Sequence, residues 1–495
     1  MERRNFIKFS LGSGAFALAS NLNADTTTSK NEPKFDGEWD VIVVGSGISG
    51  HICATYLAKN GKKVLMIEKM NRVGGNSALS QQDFAVMGSD LQKRDGIKDS
   101  VELFLKDLNN AGKGYNHTEQ SLRVIKNSNE AYEFAKSCGI KYSDKLKFLG
   151  GHSVARTVQT LGGGGAAIQS IHKTFMENGG EFINECKADE ILKDENGRVV
   201  GVSVRVDYRF DRELKNDDRE NKSGVRKTFR AKDAVIFATG GYSRDVEFRT
   251  IMNPRLKRAN TPSNLGQTAG ALKMMLAAGA TPVQLCLTRF SFGIPTEDLL
   301  YGIMVDKNSD RFLNEDGDRQ GLSDKILAHM DKIDTYSYPV AIFDSVGFGN
   351  SHDPKRMQSF MQSGKMKEFA TLEKLCEFYK LPLENLEKTI KKYNENIAKN
   401  ADEFKKDANK LKGSTIAKAP YYAIFAAPGL SYTQGGVWVN TDMQVISLAT
   451  NEPINGFYAV GEATGGTHGA SRLTSCSIPD CMTSGLLAAK AILKA

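Results

Sequence analysis

The sequence predicts an α/β chain built around a nucleotide-binding βαβ unit. Three observations carry this. The run "WDVIVVGSGISGHICATYLAKNGKKVLMIEK" holds a strand, a glycine turn, a helix and a second strand in order; "KDAVIFATGGYS" is a further apolar strand ending in glycines; and "TLEKLCEFYKLPLENLEKTIKKYNENIAKNADEF" has helical periodicity with alternating charges.

In the first run, Trp39 to Val44 is a continuous apolar strand of the kind a parallel sheet buries. Gly45, Gly47 and Gly50 follow as GxGxxG: the first permits the tight turn, the second admits a pyrophosphate to the backbone, and the third lets helix pack on strand. The helix beginning near His51 points its N-terminus at the phosphates. The second strand, "KVLMIE", ends in Glu68, 18 residues after Gly50, placed to accept a hydrogen bond from a ribose hydroxyl.

The remaining composition narrows the class. At 495 residues and 40% hydrophobic, the chain is long enough for two or three domains and a substantial core. Its net charge of +8 includes +2 from Arg3, Arg4 and Lys8 against Glu2, and the remaining +6 is no nucleic-acid signature. Residues 1–24 have a basic start, a diluted apolar middle and small residues ending at Ala24, and "RRNFIKF" resembles a twin-arginine export signal. Residues 25–37 read as a polar linker, so the expectation is a periplasmic protein exported folded with its cofactor. No run of 18 apolar residues predicts a membrane span. Seven cysteines include no CxxC and no CxxCH, so neither a zinc site, a thioredoxin-type motif nor c-type haem attachment is predicted. The charge-rich stretch "DYRFDRELKNDDRENKSGVRKTFR" reads as an exposed excursion without chemistry.

FAD rather than NAD is indicated by the loop after the second strand. There Gly74, Gly75 and Asn76 in "EKMNRVGGNSALS" resemble the loop that FAD enzymes of the glutathione-reductase type lay along the pyrophosphate and flavin. Thr239 and Gly240 in "ATGGYS" match a second element of that superfamily. The flavin is expected to be non-covalent, since "NSALSQQDF" lacks the histidine that histidyl-flavin enzymes carry there.

With "GGNSALS", "GGHSVARTVQTLGGGGAAI", "ATGGYS", "DRFLNEDGDRQ", "GLSYTQGGVWVN" and "GFYAVGEATGGTHGASRL" in this order, the chain resembles the soluble fumarate reductase and flavocytochrome c family, relatives of the succinate dehydrogenase flavoprotein. The resemblance implies a Rossmann-like FAD domain, residues 38–279 and 431–495, interrupted by an α+β capping domain over residues 280–430. It also implies reduction of a carbon–carbon double bond conjugated to a carboxylate, with Arg319 as proton donor, Glu297 in its relay beside Thr296, and Arg472 gripping the substrate carboxylate. Glu462 matches the residue that holds the ribityl chain, and His468 is assigned to the same cofactor loop.

The departures shape the substrate expectation. Cys286 and Tyr432 stand where two family histidines bind a dicarboxylate, Leu300 replaces the outer relay arginine with Arg289 as its possible substitute, and "RLTSC" replaces Arg-Leu-Gly-Gly-Asn. Losing two hydrogen-bond donors argues against fumarate, while Tyr432, Phe290 and Phe292 favour a substituted acrylate of the urocanate, cinnamate or methacrylate kind. The alternatives are fumarate itself, a ketosteroid dehydrogenase-like flavoenzyme, or a non-catalytic electron-transfer subunit. Electrons are expected from a separate cytochrome c or quinol-linked cytochrome, with dithiol chemistry at Cys476 and Cys481 as the lesser option.

Overall fold

A computed structural model describes residues 34–495, of which Phe35–Ala495 form a single compact unit. The expected export signal and residues 25–33 of the expected linker lie outside the described residues.

The apolar runs pair as parallel strands because each is buried on both faces. Gly37–Val44 lies between Val64–Ile67 and Val225–Phe237, with Val44 opposite both Ile67 and Phe237. Pro453–Ala459 extends the sheet beyond Val225–Phe237 and Glu181–Ile183 extends it beyond Val64–Ile67, both in parallel. An antiparallel edge, Gln444–Ile446, and a hairpin of Lys187–Lys193 with Val199–Val206 complete it. The nucleotide helix, Ile48–Lys59, is covered by the C-terminal helix Ser477–Lys494, and Gly485 makes that approach possible because a Cβ there would strike the Ser49 carbonyl.

A second sheet is wholly antiparallel: Ile303–Val305, Val340–Phe343, Tyr421–Phe425 and Lys367–Phe369, in that order. Alternation along its strands sends Ala341 and Phe343 to one face and Val340 and Ile342 to the other. Helix Arg319–Lys332 covers the first face. The periodic stretch seen in the sequence becomes two helices, Leu372–Tyr379 and Leu383–Ala398, which cover the second. Lys380 separates them in a left-handed conformation, and Pro382 begins the next helix as its cap.

The two sheets are joined by a ribbon in which Thr288–Ser291 pairs antiparallel with Gly429–Thr433, placing Arg289 opposite Tyr432. Directly paired residues share a ribbon face, so one connection delivers a cation and an aromatic ring to the same place. No described helix is long and apolar enough to cross a membrane.

Candidate active site

The cofactor cleft is cut where the parallel strands end, the position at which open α/β sheets bind their ligands. It has a volume of about 940 Å³ including its open mouth, and is lined by Gly45, Gly47, Glu68, Gly75, Asn76, Thr239, Gly240 and Glu462 among others. Gly45 has φ +104°, and a Cβ on it would stand 2.5 Å from the Ala238 carbonyl oxygen, so only glycine fits the turn. Gly50 and Gly74 lie behind this wall. A Cβ on Gly50 would enter the Gly45 carbonyl, and the Gly74 amide donates to Ser46 Oγ at 2.9 Å.

The acidic groups of the cleft are held in place. Glu68 accepts from the amide and hydroxyl of Ser46 at 3.1 and 2.6 Å, and from the Met70 amide at 2.9 Å. Asn76 Oδ1 accepts from the Asn264 amide at 2.6 Å, tying two cleft loops together. Glu462 accepts from the Thr433 amide and hydroxyl and from Gln267 Nε2. Burial nevertheless pushes its pKa up to about 7. The cleft fits FAD: it has the glycine turn, the acidic strand end, and a buried Thr239 hydroxyl with no partner in the chain. Gln267, Thr433, Lys69 and Asp218 were not found from the sequence. The small polar cluster "TPSNLGQTAG" was the available signal for Gln267.

Beside this cleft stand three buried or half-buried guanidinium groups. Arg472 reaches it through electrostatic contact with Glu462, and its guanidinium lies 5.6 Å from the Tyr432 ring centre. Arg289 donates from Nε to the Arg472 carbonyl at 3.2 Å and from Nη1 to Ser431 Oγ at 3.4 Å. Arg319 opens helix Arg319–Lys332, whose dipole adds positive potential at that end. Burial lowers the pKa of all three, Arg289 most clearly, and repulsion from neighbouring arginines adds to the lowering of Arg289 and Arg319. Among the described residues none of the three forms an ion pair, and the Nε atoms of Arg319 and Arg472 are buried without partners.

Other expected site residues fall elsewhere. Glu297 is exposed and raises the Arg319 pKa electrostatically, against the larger effect of burial. With Thr296, whose hydroxyl is buried and unpartnered, it lines a second, solvent-open cavity of about 860 Å³ with Tyr301 and His352. Arg289 does not take the outer relay position, since it is tied to Arg472 instead. Cys286 is a free, exposed thiol. His468 does not line the cofactor cleft: its Nε2 lies 3.1 Å from Asp480, and its ring stands edge-on to Tyr432 at 5.5 Å. Phe290 and Phe292 point into the core of the second sheet with Leu299 and Leu430, so they supply no aromatic pocket. Burial pushes the Cys476 thiol up to about 12 and raises Cys481 as well, which disfavours both thiolates.

The FAD binding domain family matches residues 40–478 of the chain. The acrylate reductase flavoprotein subunit of Shewanella woodyi is 33% identical over all of this chain and 99% of its own length. The urocanate reductase of Eggerthella lenta is 30% identical over 91% of the chain and 73% of its own length. The open conformation of a flavocytochrome c3 fumarate reductase superposes with a TM-score of 0.81 at 25% identity, covering 93% of this chain and 79% of the other. Cleft, glycine loops and these likenesses agree, and the chain belongs to the FAD binding domain family and is an FAD-dependent oxidoreductase.

Proposed function

We propose that the protein reduces the carbon–carbon double bond of a small α,β-unsaturated monocarboxylate of the acrylate type. The observation that carries this reading is the arginine cluster, which leaves buried positive charge for an anion to balance beside the cofactor cleft. Arg289 spends donors on the Arg472 carbonyl and Ser431, whereas Arg472 and Arg319 each keep an unpartnered Nε. That arrangement supports one carboxylate and one proton-transfer site rather than two carboxylates. The full-length likeness to an acrylate reductase subunit supports the same choice, and the burial of Phe290 and Phe292 in a separate core removes the argument for an aromatic substituent.

FAD, when bound, supplies the hydride for the β-carbon. Arg472 holds the carboxylate through its planar fork and, with Arg289, stabilises the negative charge that grows there in the transition state. Arg319 gives its proton to the α-carbon, and its lowered pKa makes the guanidinium a better acid than an exposed arginine. Glu297, facing the solvent-open cavity, returns a proton from water, so Leu300 in place of an outer arginine costs the relay little. A separate cytochrome donor and export by residues 1–24 complete the proposal on sequence grounds.

The test is reoxidation of the anaerobically reduced protein by acrylate, methacrylate, cinnamate, urocanate and fumarate, followed by flavin absorbance. Acrylate or methacrylate is expected to react fastest. Fumarate reacting fastest would overturn the substrate assignment, and reoxidation by none of them would overturn the reductase reading.

A further inference from the structure

The excursion after Val206 reads from sequence as a solvated, charge-rich loop, but its centre is buried against the cofactor cleft. Tyr208 donates its hydroxyl to Asp217, and Asp217 also accepts from the Asp211 amide at 2.9 Å and from Asn221 Nδ2 at 2.7 Å. Arg205 ties the returning arm by donating to the carbonyls of Asn221 and Ser223 at 2.7 and 3.1 Å. A loop closed on itself in this way holds its tip in a defined place.

The tip is Asp218, which lines the cofactor cleft together with Lys69, Lys187 and Thr268. Its Oδ2 accepts from the Gly270 amide at 3.1 Å. Gly270 has to be small here, because a Cβ on it would stand 2.6 Å from the Asp218 carboxyl carbon. The other oxygen, Oδ1, is buried and has no hydrogen-bond partner in the chain. The ammonium groups of Lys69 and Lys187 lie 3.8 and 3.9 Å from it, too far to donate. They are engaged elsewhere, Lys69 with Thr268 at 2.7 Å and Lys187 with Asp189 at 2.7 Å. Burial opposes ionisation of Asp218, but Lys69, the Thr268 hydroxyl, Lys187 and the Gly270 amide together outweigh it and lower its pKa, which favours the charged carboxylate.

The lysines balance the charge of Asp218 but leave Oδ1 without a close donor at the cleft wall, so it is an acceptor open to a donor from a ligand. This wall is the ribose end of the cleft. The Cys186 amide bonds the Glu68 carbonyl at 2.8 Å, which sets Lys187 beside the acidic end of the second strand. We propose that Asp218 is a cofactor-binding residue whose Oδ1 accepts a hydrogen bond from the adenosine half of FAD, so that the excursion acts as a strap over that end of the cleft.

The test uses apo-protein reloaded with FAD, ADP or FMN, with affinities read from flavin fluorescence and, for ADP, from competition with FAD. Asp218→Ala is expected to weaken FAD and ADP roughly tenfold each, as loss of one charged hydrogen bond predicts, and to leave FMN unchanged because FMN lacks adenosine. Gly270→Ala gives an independent arm. It keeps the carboxylate in the chain but displaces it, and alanine suits a helix, so the apo-protein should melt no lower than the parent while FAD and ADP weaken as before. FAD and ADP bound as tightly by both variants as by the parent would overturn the proposal. So would a loss of FMN affinity equal to the loss for FAD.

Discussion

Two groups of buried arginine in this chain have opposite surroundings. Arg311, in the second sheet's domain, pairs with Glu315 at 2.8 Å and Asp402 at 2.6 Å, while Lys406 sits 3.1 Å from Glu315. Every charge there has an opposite within the chain, and these partners hold the Arg311 pKa above its ordinary value despite burial. Arg289, Arg319 and Arg472 have no such partners, and their pKa values stand below the ordinary one. A neutralised cluster stabilises a fold once its desolvation is offset, whereas an unbalanced one is costly until an anion arrives. The difference separates the arginines that hold the second sheet's fold from those the proposed function assigns to the substrate carboxylate and its protonation.

Substitutions in the two groups should therefore differ in kind. Arg319→Ala is expected to lower kcat about 10³- to 10⁴-fold with FAD retained, measured by turnover and flavin absorbance. Unchanged turnover would remove Arg319 as the proton donor. Arg311→Met should leave activity per folded molecule near the parent's but cost about 3–5 kcal/mol of stability in urea unfolding, because Glu315 and Asp402 lose their shared cation. Arg472→Gln should lower kcat/KM roughly 100-fold, through a raised KM and a lowered kcat together, by removing charge-assisted hydrogen bonds that hold the carboxylate and stabilise its growing charge. Arg289→Leu should move stability the other way, raising that of the apo-protein by about 1 kcal/mol, since it removes a buried cation that no carboxylate balances. A loss of stability equal to that of Arg311→Met would erase the contrast between the clusters.

The smallest effect concerns Glu462, which links the cofactor cleft to the ribbon carrying Tyr432. Its folded pKa of about 7 lies above the ordinary value of 4.5, so between these limits the folded chain keeps a proton that the unfolded chain has lost. Apo-protein stability should fall as pH rises from 4.5 to 7, and Glu462→Gln should flatten that slope. Urea midpoints measured across this range check it.

The cofactor cleft was legible in the sequence because its main parts are local. Gly45, Gly47, Gly50 and Glu68 lie within one βαβ unit, and each needs only its chain neighbours to reach its place. The arginine cluster was half legible. Arg319 and Arg472 stand in motifs, but Arg289 joins them through the pairing of Thr288–Ser291 with Gly429–Thr433, a contact between segments 140 residues apart. The pairing of His468 with Asp480 is set by a helix start that no spacing rule anticipates. In the excursion, Asp211, Arg212, Glu213, Lys215 and Arg219 are exposed as a charge run implies, but composition alone does not reveal that Asp217 is buried and Asp218 lines the cleft.

What the sequence determined by itself is the nucleotide-binding unit, its FAD loops and the arginines that motifs mark. Glycine conformations and strand periodicity are short-range properties, set by sterics within a few residues. What only the tertiary structure decided is which charges are balanced. That depends on distances between segments far apart in the chain, and it makes Arg311 part of the fold while leaving Arg289, Arg319 and Arg472 open to an anion.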